Sequence, residues 1–131
     1  MKLIDTDIAI DHFHGNPAAF EYFTQTLVEG ETLAMSVVSL TEILAGMRAG
    51  EQERTEKLFN LFVIVDVDVD EQIAHKAGEY LNEYRQKHHM ELADALIAAS
   101  AFVVGAELIT RNVKHYPMQD VQVVVPYKRG N

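Results

Sequence analysis

Short apolar runs alternate with apolar stripes at helical spacing along the whole chain. Leu3-Ile4 runs into Asp5 and predicts a first strand over Leu3 to Asp5, with Asp7 as N-cap of the helix that follows. Gly15-Asn16-Pro17 is a turn, and Pro17 suits the first position of a second helix reaching about Val28, with Phe20, Tyr22, Phe23 and Leu27 on its apolar side. Leu33 to Val38 reads as a second buried strand. Ser39 then opens a helix carrying Leu40, Ile43, Leu44 and Met47, which Gly50 ends or interrupts. A helix from Gln52 to Phe62 turns Leu58, Phe59, Leu61 and Phe62 inward, and Val63 to Val67 is the third strand.

Asp66, Asp68 and Asp70 alternate with valines but lack the glycine and later glutamate of a calcium loop, so Asp70 reads as an N-cap. Glu71 to Lys87 follows as a helix with Ile73, Ala77, Tyr80, Leu81 and Tyr84 inward, and His88-His89 at its end. Leu92 to Val104 is an alanine-rich helix, stopped by Gly105. Leu108 to Thr110 is a fourth strand, Asn112 to Tyr116 a short turn, and Val121 to Val125 a fifth, buried strand. Tyr127 to Asn131 is a polar tail. Strands separated by helices imply an α/β fold with a parallel sheet covered on both faces.

With 131 residues, the length predicts a single domain over residues 1–126 before the tail at 127–131. No apolar run approaches the roughly 18 residues of a membrane span. There is no cysteine, hence no disulfide frame or thiolate zinc site, and a cytoplasmic location is the default expectation. The net charge of −9 opposes bulk attraction to nucleic acid, so a nucleic-acid role needs a local device: bound metal or a few placed cations. No Ser-His-Asp triad, P-loop or dinucleotide-binding turn is evident. The histidines lack a zinc spacing, and His12 and His14 read as surface positions of the first helix.

Three carboxylates stand where acids are costly or oddly placed. Asp5 ends an apolar strand, Glu42 lies among Leu40, Ile43 and Leu44, and Asp94 lies within Leu92-Ala93-Asp94-Ala95-Leu96. Each has a structural alternative. Asp5 can be a solvated strand-end acid, and Glu42 can close a capping box with Ser39. Asp94 can favour a helix N-terminus through the dipole, although its apolar neighbours call for a partner or a metal. Together they form a hard-oxygen set of the kind that binds magnesium or manganese and activates water against a phosphodiester.

Four segments in order resemble a PIN-domain protein of the VapC toxin family: Leu3-Ile4-Asp5-Thr6-Asp7, Thr41-Glu42-Ile43-Leu44-Ala45-Gly46, Asp94-Ala95-Leu96-Ile97-Ala98-Ala99 and Leu108-Ile109-Thr110-Arg111-Asn112-Val113-Lys114-His115-Tyr116. The resemblance runs from Met1 to about Pro126. It implies an α/β/α sandwich on a five-stranded parallel sheet of order 3-2-1-4-5, and magnesium- or manganese-dependent endoribonuclease action on RNA. It further implies Asp5, Glu42 and Asp94 as metal ligands, Asn112 in place of a fourth acid, and Arg111, Lys114 and Arg48 as phosphate contacts. A small antitoxin and a homodimer complete the expected partners. Asp7 departs from the usual Asn or Ser. The rivals are a catalytically weak or inactive PIN-fold binding module and, on Asp5-Thr6-Asp7, a haloacid-dehalogenase-like phosphatase, which lacks its expected residue at Ala9.

Overall fold

Every strand is parallel to its neighbours in the computed structural model, which describes residues 1–128. The chain runs β1 (Lys2–Ile4), α1 (Thr6–Phe13), α2 (Pro17–Val28), β2 (Leu33–Ser36), α3 (Val37–Ala45), α4 (Gln52–Asn60), β3 (Ile64–Val67), α5 (Glu71–His88), α6 (Leu92–Val104), β4 (Glu107–Ile109) and β5 (Val123–Val124), with a 3₁₀ turn at Val113–His115. The five strands form one sheet in the order β3-β2-β1-β4-β5. The sandwich topology and strand order expected from the resemblance are therefore present.

Alternation along β1 divides the core. Leu3 faces α5 and α6, where it packs with Ala34, Ile73, Ala77, Ala95 and Ala98. Ile4 faces the other way, toward Ile8, Phe23, Leu33, Met35 and Ile109. A strand two layers deep carries apolar side chains on both faces, which explains why the strands read as continuous apolar runs. The small residues of α6 make it the innermost helix: Ala95, Ala98, Ala99 and Ala101 have no exposed surface.

Local chemistry sets the boundaries. Asn16 accepts from the Ala18 amide ahead of a helix that begins at Pro17, Asp70 caps α5 by accepting from Ile73 at 2.9 Å, and Gly105 closes α6 at φ +70°. Two caps differ from expectation. Asp5, not Asp7, is the N-cap of α1, because the chain turns from strand to helix with no intervening loop. Ser36, not Ser39, caps α3, so β2 is shorter and Glu42 lies in mid-helix, where it cannot close a capping box. The capping contact falls to Asp94 instead, which accepts from the Glu91 amide at 3.4 Å.

Packing corrects three more positions. His12 stands four residues after Ile8 on the inner face and is buried. Its Nε2 lies 2.9 Å from the Leu58 carbonyl, amid the rings of Phe13, Phe20, Phe23 and Phe62. Leu61 is exposed, because α4 ends at Asn60 and the chain leaves the helical stripe. The fifth strand is only two residues long and half-buried, since it is a sheet edge. In the expected polar tail, Tyr127 donates its hydroxyl to Asp11 at 2.9 Å, and residues 129–131 lie outside the described residues.

Phe23 is the largest fully buried side chain and joins α2 to this aromatic cluster. Phe23→Ala is expected to cost about 3–5 kcal/mol. Urea unfolding should show a lower midpoint with little change in slope; an unchanged midpoint would show that the cluster does not hold the layer.

A candidate acidic active site

Asp5 directly follows β1 and is still bonded to the sheet: its amide donates to the Ile109 carbonyl at 2.9 Å. Its carbonyl accepts from Ile8 and Ala9 in the first turn of α1. The carboxylate is buried and fixed by three donors. Oδ1 accepts from the Thr6 amide at 2.7 Å; Oδ2 accepts from the Thr110 hydroxyl at 2.8 Å and the Tyr116 hydroxyl at 2.9 Å. Thr110 follows β4, the strand beside β1, so the switch point between β1 and β4 holds this acid from two strands. Burial, followed by the charge of Asp5, pushes the Tyr116 hydroxyl well above its ordinary value, which keeps it a donor.

Around Asp5 lies a pocket of about 210 Å³. Among the described residues its acids are Asp5, Asp7, Glu42, Glu91 and Asp94; Asn112 and three histidines, His88, His89 and His115, also line it, and no lysine or arginine does. The three acids singled out in the sequence thus line one pocket, although they come from the end of β1, from α3 and from α6. Glu42 is tied to the α1 start by Thr6, whose hydroxyl donates to it at 2.6 Å. Asp94 stands 3.5 Å from His115 Nδ1. Burial raises the Asp94 carboxyl, against the opposing pull of the Glu91 amide and His115.

Asp7 is the additional acid. It accepts from the Ile8 amide at 2.8 Å and, through its other oxygen, from the Arg111 amide at 2.9 Å. Burial and then the Asp5 charge push its carboxyl up to about 6. The remaining expected residues divide. Asn112 lines the pocket, and its amide donates to the Thr110 hydroxyl at 3.0 Å. The Arg111 guanidinium is turned away onto Asp11, with bonds of 2.8 and 3.0 Å, and braces α1 against the end of β4. Arg48 lines the adjoining cavity, and Lys114 is exposed on the 3₁₀ turn.

Tyr116, Glu91 and the three histidines were not foreseen at the site. Tyr116 sits six residues beyond Thr110, and only the turn at Val113–His115 folds its ring back under Asp5. His89 ends α5 in the left-handed region at φ 51°, a conformation that is uncommon without glycine and one that brings it to the pocket rim.

The donor chemistry suits a hard divalent cation: several carboxylates share one pocket in which burial and the Asp5 charge raise Asp7, and among the described residues no lysine or arginine lines it. Among the described residues no group of three or more His, Asp or Glu side chains stands close enough together to hold a metal ion. Magnesium keeps several waters and commonly takes only one or two carboxylates, so an open acidic pocket fits it.

Comparison with known proteins agrees with this geometry. The PIN domain family matches residues 2–119. The chain is 43% identical to Ribonuclease VapC19 of Mycobacterium tuberculosis over 119 residues, 90% of this chain and 94% of that one. Among solved structures, a toxin-antitoxin complex from Klebsiella pneumoniae superposes with TM-score 0.70 at 30% identity, covering 98% of this chain and 99% of that one. VapBC2 from Rickettsia felis, bound to a DNA fragment from its promoter, superposes with TM-score 0.80 at 20% identity, covering 94% of this chain and 96% of that one.

The Asp7 shift has a defined sign. A carboxyl whose folded value of about 6 exceeds its ordinary 3.8 binds a proton more tightly folded than unfolded. Its contribution to stability is therefore present at low pH, falls as pH rises from about 4 to about 6, and stays absent above that. In chelator, Asp7→Asn is expected to flatten this part of the stability profile, read by thermal unfolding from pH 4 to pH 8. A variant with the parent's slope would show that Asp7 titrates normally.

Proposed function

The chain belongs to the PIN domain family, and on that premise we propose that it is a ribonuclease toxin of the VapC type, cutting RNA phosphodiester bonds with the help of a divalent cation. The observation that carries this reading is the pocket at the switch point, which Asp5, Glu42 and Asp94 line together with Asn112. The likeness to a named ribonuclease over nine-tenths of the chain supports the same activity.

In this reading Asp5 and Asp94 hold the cation, magnesium or manganese, and Glu42 completes the acidic wall directly or through water. When bound, the cation supplies Lewis acidity to the phosphoryl group and a water of lowered pKa. The chain's own contribution is preorganisation. Thr6, Thr110 and Tyr116 fix the Asp5 carboxylate before any substrate arrives, so no reorientation is needed at the moment of reaction. Thr6 does the same for Glu42. Asn112 positions a water or a phosphate oxygen at the pocket edge. With the Arg111 guanidinium committed to Asp11, Lys114 and Arg48 remain as phosphate contacts, and Arg111 supports the site by holding Asp7 through its amide.

A small antitoxin is the proposed regulating partner, supported by the toxin-antitoxin complex among the similar structures, and homodimerisation is the proposed assembly. The exposed Phe20 is available for such a contact, whereas Phe23 is core. No helix among the described residues is long and apolar enough to cross a membrane.

The test is cleavage of a mixed cellular RNA pool by purified chain, with magnesium, manganese or chelator. Discrete cuts are expected to need the metal. Asp5→Asn and Asp94→Asn should each lower the rate by about 100-fold or more, beyond the 10–100-fold that follows loss of a metal's outer-shell partner. Cleavage that survives both variants would overturn the site. A folded wild type that binds metal but cuts no RNA would favour the non-catalytic binding module.

A further inference from the structure

Next to the acid pocket lies a second cavity, of about 500 Å³, and Glu42 lines both. We infer that this cavity is a subsite for one nucleotide of single-stranded RNA flanking the cut bond, with the base on its apolar floor and the phosphates against Arg48 and Arg54. The inference rests on the ribonuclease reading and extends it to where the strand runs.

The cavity has two kinds of wall. Ile10, Phe13, Ile43 and Met47 supply apolar surface from α1, α3 and the turn after it. Arg48 and Arg54 supply charge from that turn and the first part of α4. Arg54 reaches across to the end of α1: its Nη2 lies 3.8 Å from where a Cβ on Gly15 would stand. A volume of this order suits a ligand of nucleotide size, and an apolar floor with a charged rim suits an unpaired base and its phosphates.

The cations decide the class of ligand. Among the described residues, Lys2, Lys57, Lys76 and Arg111 are each held by a carboxylate; Arg48 and Arg54, like Arg85, Lys87 and Lys114, enter no ion pair, but they alone of these line the cavity beside the acids. The two acids of this cavity are partly engaged, Glu42 by Thr6 and Glu51 by the Arg48 amide at 2.8 Å. In a chain of net charge −9, two unpaired arginines beside the acid pocket form a local device for a polyanion. An apolar groove on the other side of α3 and α4, lined by Leu40, Leu44, Phe59 and Val63, has no lysine or arginine. The arginine pair is what separates the two cavities and favours RNA here over a protein's apolar side chains.

The experiment uses a fluorescein-labelled, 12-nucleotide, single-stranded RNA of mixed sequence. Its anisotropy is followed on titration with the Asp5→Asn chain in magnesium, with and without Arg48→Gln and Arg54→Gln together. Lys57→Gln with Arg85→Gln is the control of equal charge change. The double arginine variant is expected to bind about tenfold more weakly. Its slope of log affinity against log salt should be shallower by about 1.4, two phosphate contacts at ~0.7 each. In the otherwise unaltered chain the pair should raise KM for RNA and leave kcat at saturation within about twofold, while the control changes neither. An equal loss in the control, or an unchanged salt slope, overturns the subsite. So does retained RNA affinity with loss of a protein partner. A parent chain that cuts no RNA sinks the ribonuclease reading itself, whereas a parent that cuts beside a double variant with unchanged KM sinks only the subsite.

Discussion

The direct passage from β1 into α1 is the constraint on which the rest of the molecule depends. Asp5 is at once the sheet-bonded residue directly after the central strand, the N-cap of the first helix and the buried acid at the switch point. No loop separates these roles, so none can be adjusted without the others. A carboxylate so placed is tolerated because three donors reach it, from Thr6, Thr110 and Tyr116. Those donors come from the start of α1, the end of β4 and the turn beyond it. The acid thus ties three separate segments together while remaining at the edge of an open pocket.

A chain with net charge −9 that acts on a polyanion has to concentrate its attraction. The acid pocket alone would make matters worse, since burial and then the charge of Asp5 already lift Asp7 to about 6. A divalent cation there reverses the sign of the local field. In the proposed subsite, Arg48 and Arg54 would extend the reversal toward the turn between α3 and α4. Arg111, the cation nearest in sequence to the fourth strand, is spent on Asp11 and serves as a brace. Placement by the fold, more than the number of cations, decides which charges are available to a substrate.

How much of this was legible in the chain follows from the range of each interaction. Apolar period, caps and glycine stops act within a few residues. The extents of α2, α5 and α6 could be read directly, with Pro17, Asp70 and Gly105 at their ends. The caps of α1 and α3 were misplaced by two and three residues, because several hydroxyl- and carboxyl-bearing side chains compete near each start. The path of the strand selects among them. The same shift removed Glu42 from its supposed capping box and gave the capping contact to Asp94.

The sequence by itself determined the alternation of strands and helices, the need for a sheet buried on both faces, and three acids whose positions singled them out while leaving each a structural alternative. It could not determine that Asp5, Glu42 and Asp94 share one pocket, that His12 sits among four phenylalanine rings, or that Tyr116 and Thr110 clasp Asp5. Those facts depend on contacts spanning up to 111 positions of the chain. Only the closing of the parallel sheet, which sets β1 between β2 and β4, brings such positions within hydrogen-bonding reach. Local patterning carries information about backbone conformation and burial, whereas the site is assembled from the ends of elements whose neighbours are chosen by the packing of the sheet.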